Sequence, residues 1–309
     1  MQRTDFPTHC MSLQAQNGAA PDPAHSYRGR LAPSPTGFLH IGHARTFFAA
    51  FERAQAAQGT LVMRMEDLDL ERSRAEYADA ALEDLRWLGI HWDEGPDVGG
   101  PMAPYIQSQR MDLYRAALQR LFDNGWIYPC RCSRKDLAAA LNAPHEDADL
   151  DDEPLYPGTC RNASIPSDLL QNSAERSAWR FRVPDGEAVE FTDGNFGAQR
   201  FVAGEDFGDF IVCRRDGVAS YQLACVVDDH AMQITEVVRG ADLLKSTARQ
   251  ILLNRALGFA NPAWFHCGLV VDASGKRLAK RHNVLAIRTL RECRLTPEQI
   301  LAGDPSTIG

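Results

Sequence analysis

Between Arg30 and His43 the chain reads Arg-Leu-Ala-Pro-Ser-Pro-Thr-Gly-Phe-Leu-His-Ile-Gly-His, and no other stretch limits the fold so tightly. Two prolines lock φ and two glycines release it, and neither residue suits the interior of a strand or helix. Leu31 and Ala32 suggest a short buried strand just before the Pro/Gly run. Beyond it, Ala44, Phe47, Phe48, Phe51 and Ala54 recur at helical spacing until Gly59. The stretch therefore reads as strand, rigid loop and helix N-terminus. A helix N-terminus offers backbone N–H groups and the positive end of a dipole, which suits a polyphosphate.

The following segments repeat this alternation. Thr60 to Asp69 is an apolar strand ending in three carboxylates, Glu66, Asp67 and Asp69, and a helix with Tyr77, Ala81, Leu85 and Leu88 on one face comes next. A further helix is predicted from Met111 to Asn124. This order predicts an α/β fold with a doubly wound parallel sheet, whose ligands bind at the carboxyl ends of strands. Trp179–Val183, Val189–Phe191 and Phe210–Arg215 read as β segments, and Asp216-Gly217 is a hairpin signal before a further segment at Tyr221–Val227. This middle third suggests an insertion of antiparallel strands. The α/β pattern then returns with a strand at Ile234–Val238, a helix through Leu252 and Ala256, and an apolar strand at Cys267–Val271.

A length of 309 residues, 44% hydrophobic and 24% charged, allows one large or two smaller globular domains. No apolar run reaches the ~18 residues of a membrane span, and the N-terminus lacks a secretory h-region, so a cytoplasmic address is expected. Eight cysteines in a chain this long fit reduced thiols better than a disulfide framework. The net charge of −8 is concentrated in the carboxylates between Glu146 and Glu153, so the rest of the chain is nearly neutral and local basic patches for a nucleic acid are compatible with it. Residues 1–27 are polar, show no apolar periodicity and read as a disordered leader.

Three constellations carry chemistry. His40 and His43 stand about one helical turn apart with Gly42 between them, placed to meet phosphate or to serve as capping residues. Arg277 and Lys280, in a Gly-led basic cluster, could neutralise a leaving pyrophosphate or form a solvated surface. Cys130-Arg-Cys132, followed by Tyr156 and Cys160, supplies three thiols and a phenol, consistent with a structural zinc site or with ordinary buried cysteines.

Together these stretches resemble the signature motifs of class I aminoacyl-tRNA synthetases. His40-Ile-Gly-His43 is the full HIGH motif, and Arg277-Leu-Ala-Lys280 is similar to KMSKS, with Arg277 for its first Lys and Ala279 for its Ser. Arg30–Gly37, Arg64–Asp69, Tyr221, Val226–His230 and Glu236–Asp242 look like the glutamyl-tRNA synthetase subgroup. The resemblance implies a Rossmann-like catalytic domain in two halves, 28–125 and 206–295, an inserted zinc-binding, antiparallel-strand subdomain at 126–205, and a tail at 296–309. It also implies that Arg30, Ala32 and Ser34 hold the glutamate side chain and Glu66 its ammonium group with Tyr221, while Arg239 faces the substrate's polar end. His40, Gly42, His43, Arg277 and Lys280 would bind ATP, accompanied by Mg2+, with His40, His43 and Lys280 the catalytic members. One structural Zn2+ would rest on Cys130, Cys132, Tyr156 and Cys160, with His145 as the rival fourth ligand.

Members of this subgroup continue past KMSKS into an anticodon-binding region, whereas this chain stops at Gly309. The resemblance is therefore closest to its truncated branch. That branch activates L-glutamate with ATP in the absence of tRNA and esterifies it to queuosine in the anticodon loop of tRNA(Asp). Arg288, Arg291 and Arg294 would share a helical face against that RNA. The alternatives are a fragmentary synthetase charging a tRNA 3′ end and a catalytically silent paralog that binds glutamate or tRNA.

Overall fold

The computed structural model describes residues 26–133, 136, 155–162, 177–270 and 286–302. The segment before Ser26, His145 with the acidic run, and Arg277–Lys280 lie outside the described residues. Two parallel strands, β1 (Arg28–Leu31) and β2 (Thr60–Met63), are connected by α1 (Ile41–Ala56). Ile41, Ala44, Phe47, Ala50 and Ala54 form the buried stripe of α1, at the three-to-four spacing that a helix needs to face a sheet. Gly59 is required by close approach, because a Cβ there would fall 2.4 Å from the Tyr27 carbonyl oxygen.

Helix α2 (Ala75–Trp87) and helix α3 (Met111–Asp123) follow, then β3 (Ile127–Cys130), β4 (Ala178–Phe181), the hairpin β5 (Ala188–Asp193) and β6 (Gly197–Val202), and β7 (Phe210–Cys213). Strands β3, β4 and β7 make a three-stranded antiparallel sheet. The anticipated hairpin turn is present: Gly217 adopts φ +83° and Arg214 N bonds to the Val218 carbonyl at 2.8 Å.

The next segment departs from the sequence expectation. Tyr221 opens a helix, α4 (Tyr221–Ala231), rather than a strand, and Ser220 caps it by accepting from Leu223 N. A short apolar run has no periodicity that separates a buried helix from a buried strand, and Leu223 to Val227 are buried together. Strand β8 (Glu236–Gly240), helix α5 (Leu244–Leu257) and strand β9 (Ala263–Cys267) complete the α/β part, with β8 and β9 parallel. The last strand thus ends where Cys267–Val271 was expected to begin. Two short helices, α6 (Ile287–Glu292) and α7 (Pro297–Ala302), close the described chain.

Strand β1 lies against β8, where Thr235 N donates to the Arg28 carbonyl at 2.9 Å and the Arg30 guanidinium reaches the Val238 carbonyl at 2.8 Å. The apolar core has two parts. One gathers α1, α2 and the ends of β1 and β2, and the other gathers α3, α4, α5 and the antiparallel strands.

Candidate active site

The loop after β1 keeps strand-like alternation: Leu31, Pro33 and Pro35 are buried, while Ala32, Ser34 and Thr36 are turned outward. Pro33 O and Leu31 O still accept from Glu66 N and Arg64 N at 2.9 and 2.8 Å, so the rigid loop is held beside the chain that follows β2. His40 then caps α1. Its Nδ1 accepts from Gly42 N at 3.1 Å, His43 Nδ1 accepts from His40 N at 3.2 Å, and the two rings stack with centroids 3.7 Å apart. A Cβ on Gly42 would lie 2.9 Å from His40 Cε1, so glycine is what lets this ring fold over the helix end. An accepting Nδ1 carries no proton, and each neutral ring therefore presents Nε2–H as its donor. Both histidines are thus capping residues of α1.

Val270 Cγ2 is the next atom near a Cβ built on Gly42, at 4.0 Å, and Ala286 forms a bridge to His40. Both described flanks of the segment containing Arg277 and Lys280 thus meet the N-terminus of α1.

Behind the loop lies a buried ionic cluster. Arg30 is 4% exposed, and its Nε stands 3.5 Å from Asp229 Oδ1 without a hydrogen-bond partner among the described residues. Arg64, fully buried, donates to Glu66 Oε1 at 2.9 Å and to Asp229 Oδ1 at 2.6 Å. Asp228 in turn accepts from Arg110, Gln107 and Tyr114 at 2.6, 2.9 and 2.8 Å. The cluster balances three guanidinium groups with three carboxylates, the arrangement that makes buried charge tolerable. Burial raises the Glu66 carboxyl, with the Arg64 charge and hydrogen bond opposing that rise. The Cys225 thiol donates to Glu66 Oε1 at 3.6 Å.

Across from it, Arg239 on β8 is 5% exposed and donates to Gln250 Oε1 at 2.8 Å, Thr247 Oγ1 at 2.7 Å and His266 Nε2 at 3.1 Å. It also donates to the Leu243 carbonyl at 3.3 Å and makes a long contact to the Tyr221 hydroxyl, 3.5 Å away at the start of α4. Tyr221 and Arg239 are thereby joined, and Arg30 and Glu66 meet α4 through Asp229 and Cys225.

A second cluster sits at the end of β3. The ligand atoms of Cys130, Cys132 and Cys160 all lie within 4.8 Å of one another. The Tyr156 hydroxyl is 3.4 Å from Cys130 Sγ and 3.5 Å from Cys132 Sγ, and Cys132 and Cys160 Sγ are 3.6 Å apart. Four-coordinate zinc with bonds of ~2.3 Å spaces its sulfurs by roughly 3.8 Å, so the cluster has the size and donor chemistry to hold a metal ion. Arg180, 2% exposed, lies with its guanidinium 3.9 Å from the Tyr156 ring centre and Nε 3.4 Å from Cys130 Sγ, supplying positive charge beside the thiols.

Comparison with known proteins decides the family. Residues 26–303 match the family described as tRNA synthetases class I (E and Q), catalytic domain. The chain belongs to the class I aminoacyl-tRNA synthetases. It is 51% identical to the glutamyl-Q tRNA(Asp) synthetase of Nitratidesulfovibrio vulgaris over 85% of this chain and 81% of the relative. It is 50% identical to the protein of the same name from Symbiobacterium thermophilum, over 88% and 84%. Among solved structures, a glutamate tRNA ligase from Elizabethkingia meningosepticum in complex with its amino acid superposes with a TM-score of 0.72 at 30% identity. The match covers 83% of this chain and 52% of that ligase, so the synthetase spans about half the length of that solved structure.

Several residues of the cluster had no individual signal in the sequence. Asp229 and Arg64 stood inside quoted motifs, but their pairing joins positions 165 residues apart. Thr247, Gln250, His266 and Asp193 carried no motif. The tail arginines differ from expectation: Arg288 and Arg291 pair with Glu83, Arg288 also with Asp84, and Arg294 lies beyond α6 with φ +66°. They do not form one basic helical face, because α2 supplies acidic partners that no local pattern revealed. No helix among the described residues is long and apolar enough to cross a membrane.

Proposed function

We propose that this synthetase activates L-glutamate with ATP in the absence of tRNA, and then transfers the glutamyl group to the cyclopentene diol of queuosine in the anticodon loop of tRNA(Asp). The observation that carries the reading is the burial of a guanidinium and a carboxylate, Arg30 and Glu66, in one ionic cluster, with Arg30 near the end of β1 just before the loop that leads into the histidine-capped α1. An amino acid with an ammonium group and a second carboxylate matches that pair, and a neutral side chain would leave Arg30 unmatched. Arg30 holds the side-chain carboxylate with Ala32 and Ser34 around it. Glu66 and Tyr221 take the ammonium group, and Arg239 faces the polar end of the substrate.

ATP, with Mg2+, lies at His40, Gly42 and His43, with Arg277 and Lys280 on its phosphates. A glutamate α-carboxylate oxygen attacks the α-phosphorus, the bond to the bridging oxygen breaks, and pyrophosphate leaves with the charge that His40, His43 and Lys280 stabilise. A diol hydroxyl then attacks the acyl carbon and AMP departs. The choice of acceptor rests on the two relatives named above. Cys130, Cys132, Tyr156 and Cys160 would hold a structural zinc ion, which would brace the inserted segment, and a cytoplasmic address suits these substrates.

Incubation with ATP, glutamate and labelled pyrophosphate, without tRNA, is expected to move label into ATP; absence of exchange refutes the activation step. Labelled glutamate is expected to transfer to queuosine-containing tRNA(Asp). Equal labelling of unmodified tRNA(Glu) would instead identify a synthetase that charges the 3′ end.

A further inference from the structure

Asp193, the last residue of β5, is 2% exposed, and His266 on β9 is fully buried. Asp193 Oδ2 and His266 Nδ1 are 2.6 Å apart, and the same carboxylate accepts from the backbone N–H groups of Asn195 and Phe196 at 3.0 and 2.9 Å. Burial pushes the Asp193 carboxyl up, but these hydrogen bonds outweigh it and hold the group below the usual carboxylate range. Burial and the neighbouring Arg239 charge push His266 down to about 4, against the pull of Asp193. An anionic Asp193 facing a neutral imidazole leaves one arrangement: the proton is on Nδ1 and Nε2 is an acceptor. Arg239 Nε donates to that Nε2 at 3.1 Å. The opposite tautomer would bring two N–H groups face to face.

We infer that Asp193 and His266 are a positioning pair for Arg239, fixing the imidazole tautomer against which its guanidinium is set and thereby governing glutamate binding. This rests on the proposed placement of Arg239 in the glutamate site. Thr247 and Gln250 hold NH2 and NH1 of the guanidinium, so His266 fixes the third nitrogen and hence the rotation of the whole fork. The pair reaches Arg239 from β5 and β9, and so ties the hairpin β5–β6 to the substrate pocket.

Glutamate-dependent pyrophosphate exchange provides the test. His266→Ala is expected to raise the glutamate KM about ten- to hundredfold while leaving the ATP KM unchanged. His266→Gln, whose amide oxygen can accept from Arg239 Nε, is expected to recover much of that loss. An unchanged glutamate KM overturns the inference, as does a parallel rise in both KM values. Nitrogen-15 NMR of the wild-type imidazole gives a readout independent of turnover: a neutral Nδ1–H tautomer is expected, moving toward Nε2–H in Asp193→Asn. An Nε2–H tautomer in the wild type overturns the pair outright. A wild-type protein without any glutamate-dependent exchange defeats the glutamate reading, whereas the NMR measurement still reports on the pair itself.

Discussion

Two opposed forces meet on the Glu66 carboxyl. Burial raises its pKa, the Arg64 contact resists, and the net direction is upward. In the proposed site only the ionised form would hold the substrate ammonium group. Glutamate binding is therefore expected above the raised pKa and is expected to be lost as pH falls through it. The acid limb of kcat/KM for glutamate is expected above the ordinary carboxylate range, and Glu66→Gln should abolish that limb along with about a hundredfold or more of kcat/KM. A pH–rate profile of both proteins checks this. Arg30, Glu66 and Arg239 could be singled out in the chain because each sits in a motif that resembles the glutamyl-tRNA synthetase subgroup. The groups that set their protonation and direction were not. Asp229 touches Arg30 across 199 positions and His266 touches Arg239 across 27, distances over which no local periodicity carries information.

At the level of single elements, α1 shows how two histidines close a helix end. Its capping box is built from His40 and His43, and Gly42 gives the first ring its place. Adding a methyl group at position 42 keeps a helical backbone but drives a Cβ to 2.9 Å from the ring. Gly42→Ala is therefore expected to displace His40, to cost about 1 kcal/mol of cap energy, and to lower Tm by about 2–4 °C. The ATP KM should rise while the glutamate KM stays near wild type, as measured by pyrophosphate exchange with each substrate varied in turn.

Helices α1, α2 and α3 were legible because their apolar stripes recur every three to four residues. Helix α4 was not, since one face meets the ionic cluster and the others meet core, which erases the stripe. Strand β9 lies earlier than its most apolar stretch, because pairing with β8 rather than hydrophobicity sets its register.

For the whole molecule, the buried charges of Arg64, Arg110, Asp228 and Asp229 form one network. Asp228 is the hub, joining the chain after β2 to α3 and α4. Asp228→Ala leaves the buried Arg110 guanidinium without its carboxylate, although Arg64 keeps Glu66 and Asp229, and is expected to destabilise the protein by about 3–5 kcal/mol in denaturant unfolding. Removal of metal by a chelator should act elsewhere, loosening the β3–β4–β7 region as read by hydrogen exchange while leaving the glutamate KM in place. Native mass spectrometry should show a single zinc ion lost. The α/β order and the antiparallel insert were visible from the sequence. The buried ionic network was not, because it is made of polar residues scattered from position 64 to position 229.

That network also has an ionic-strength consequence. Its guanidinium and carboxylate groups cancel one another and are shut away from solvent, so dissolved ions have little purchase on them. RNA association, in contrast, releases counterions from a phosphate backbone and weakens steeply as salt rises. Raising potassium chloride is expected to leave the glutamate KM of the activation step almost flat while transfer to tRNA falls severalfold, so that salt alone separates the two halves of the reaction.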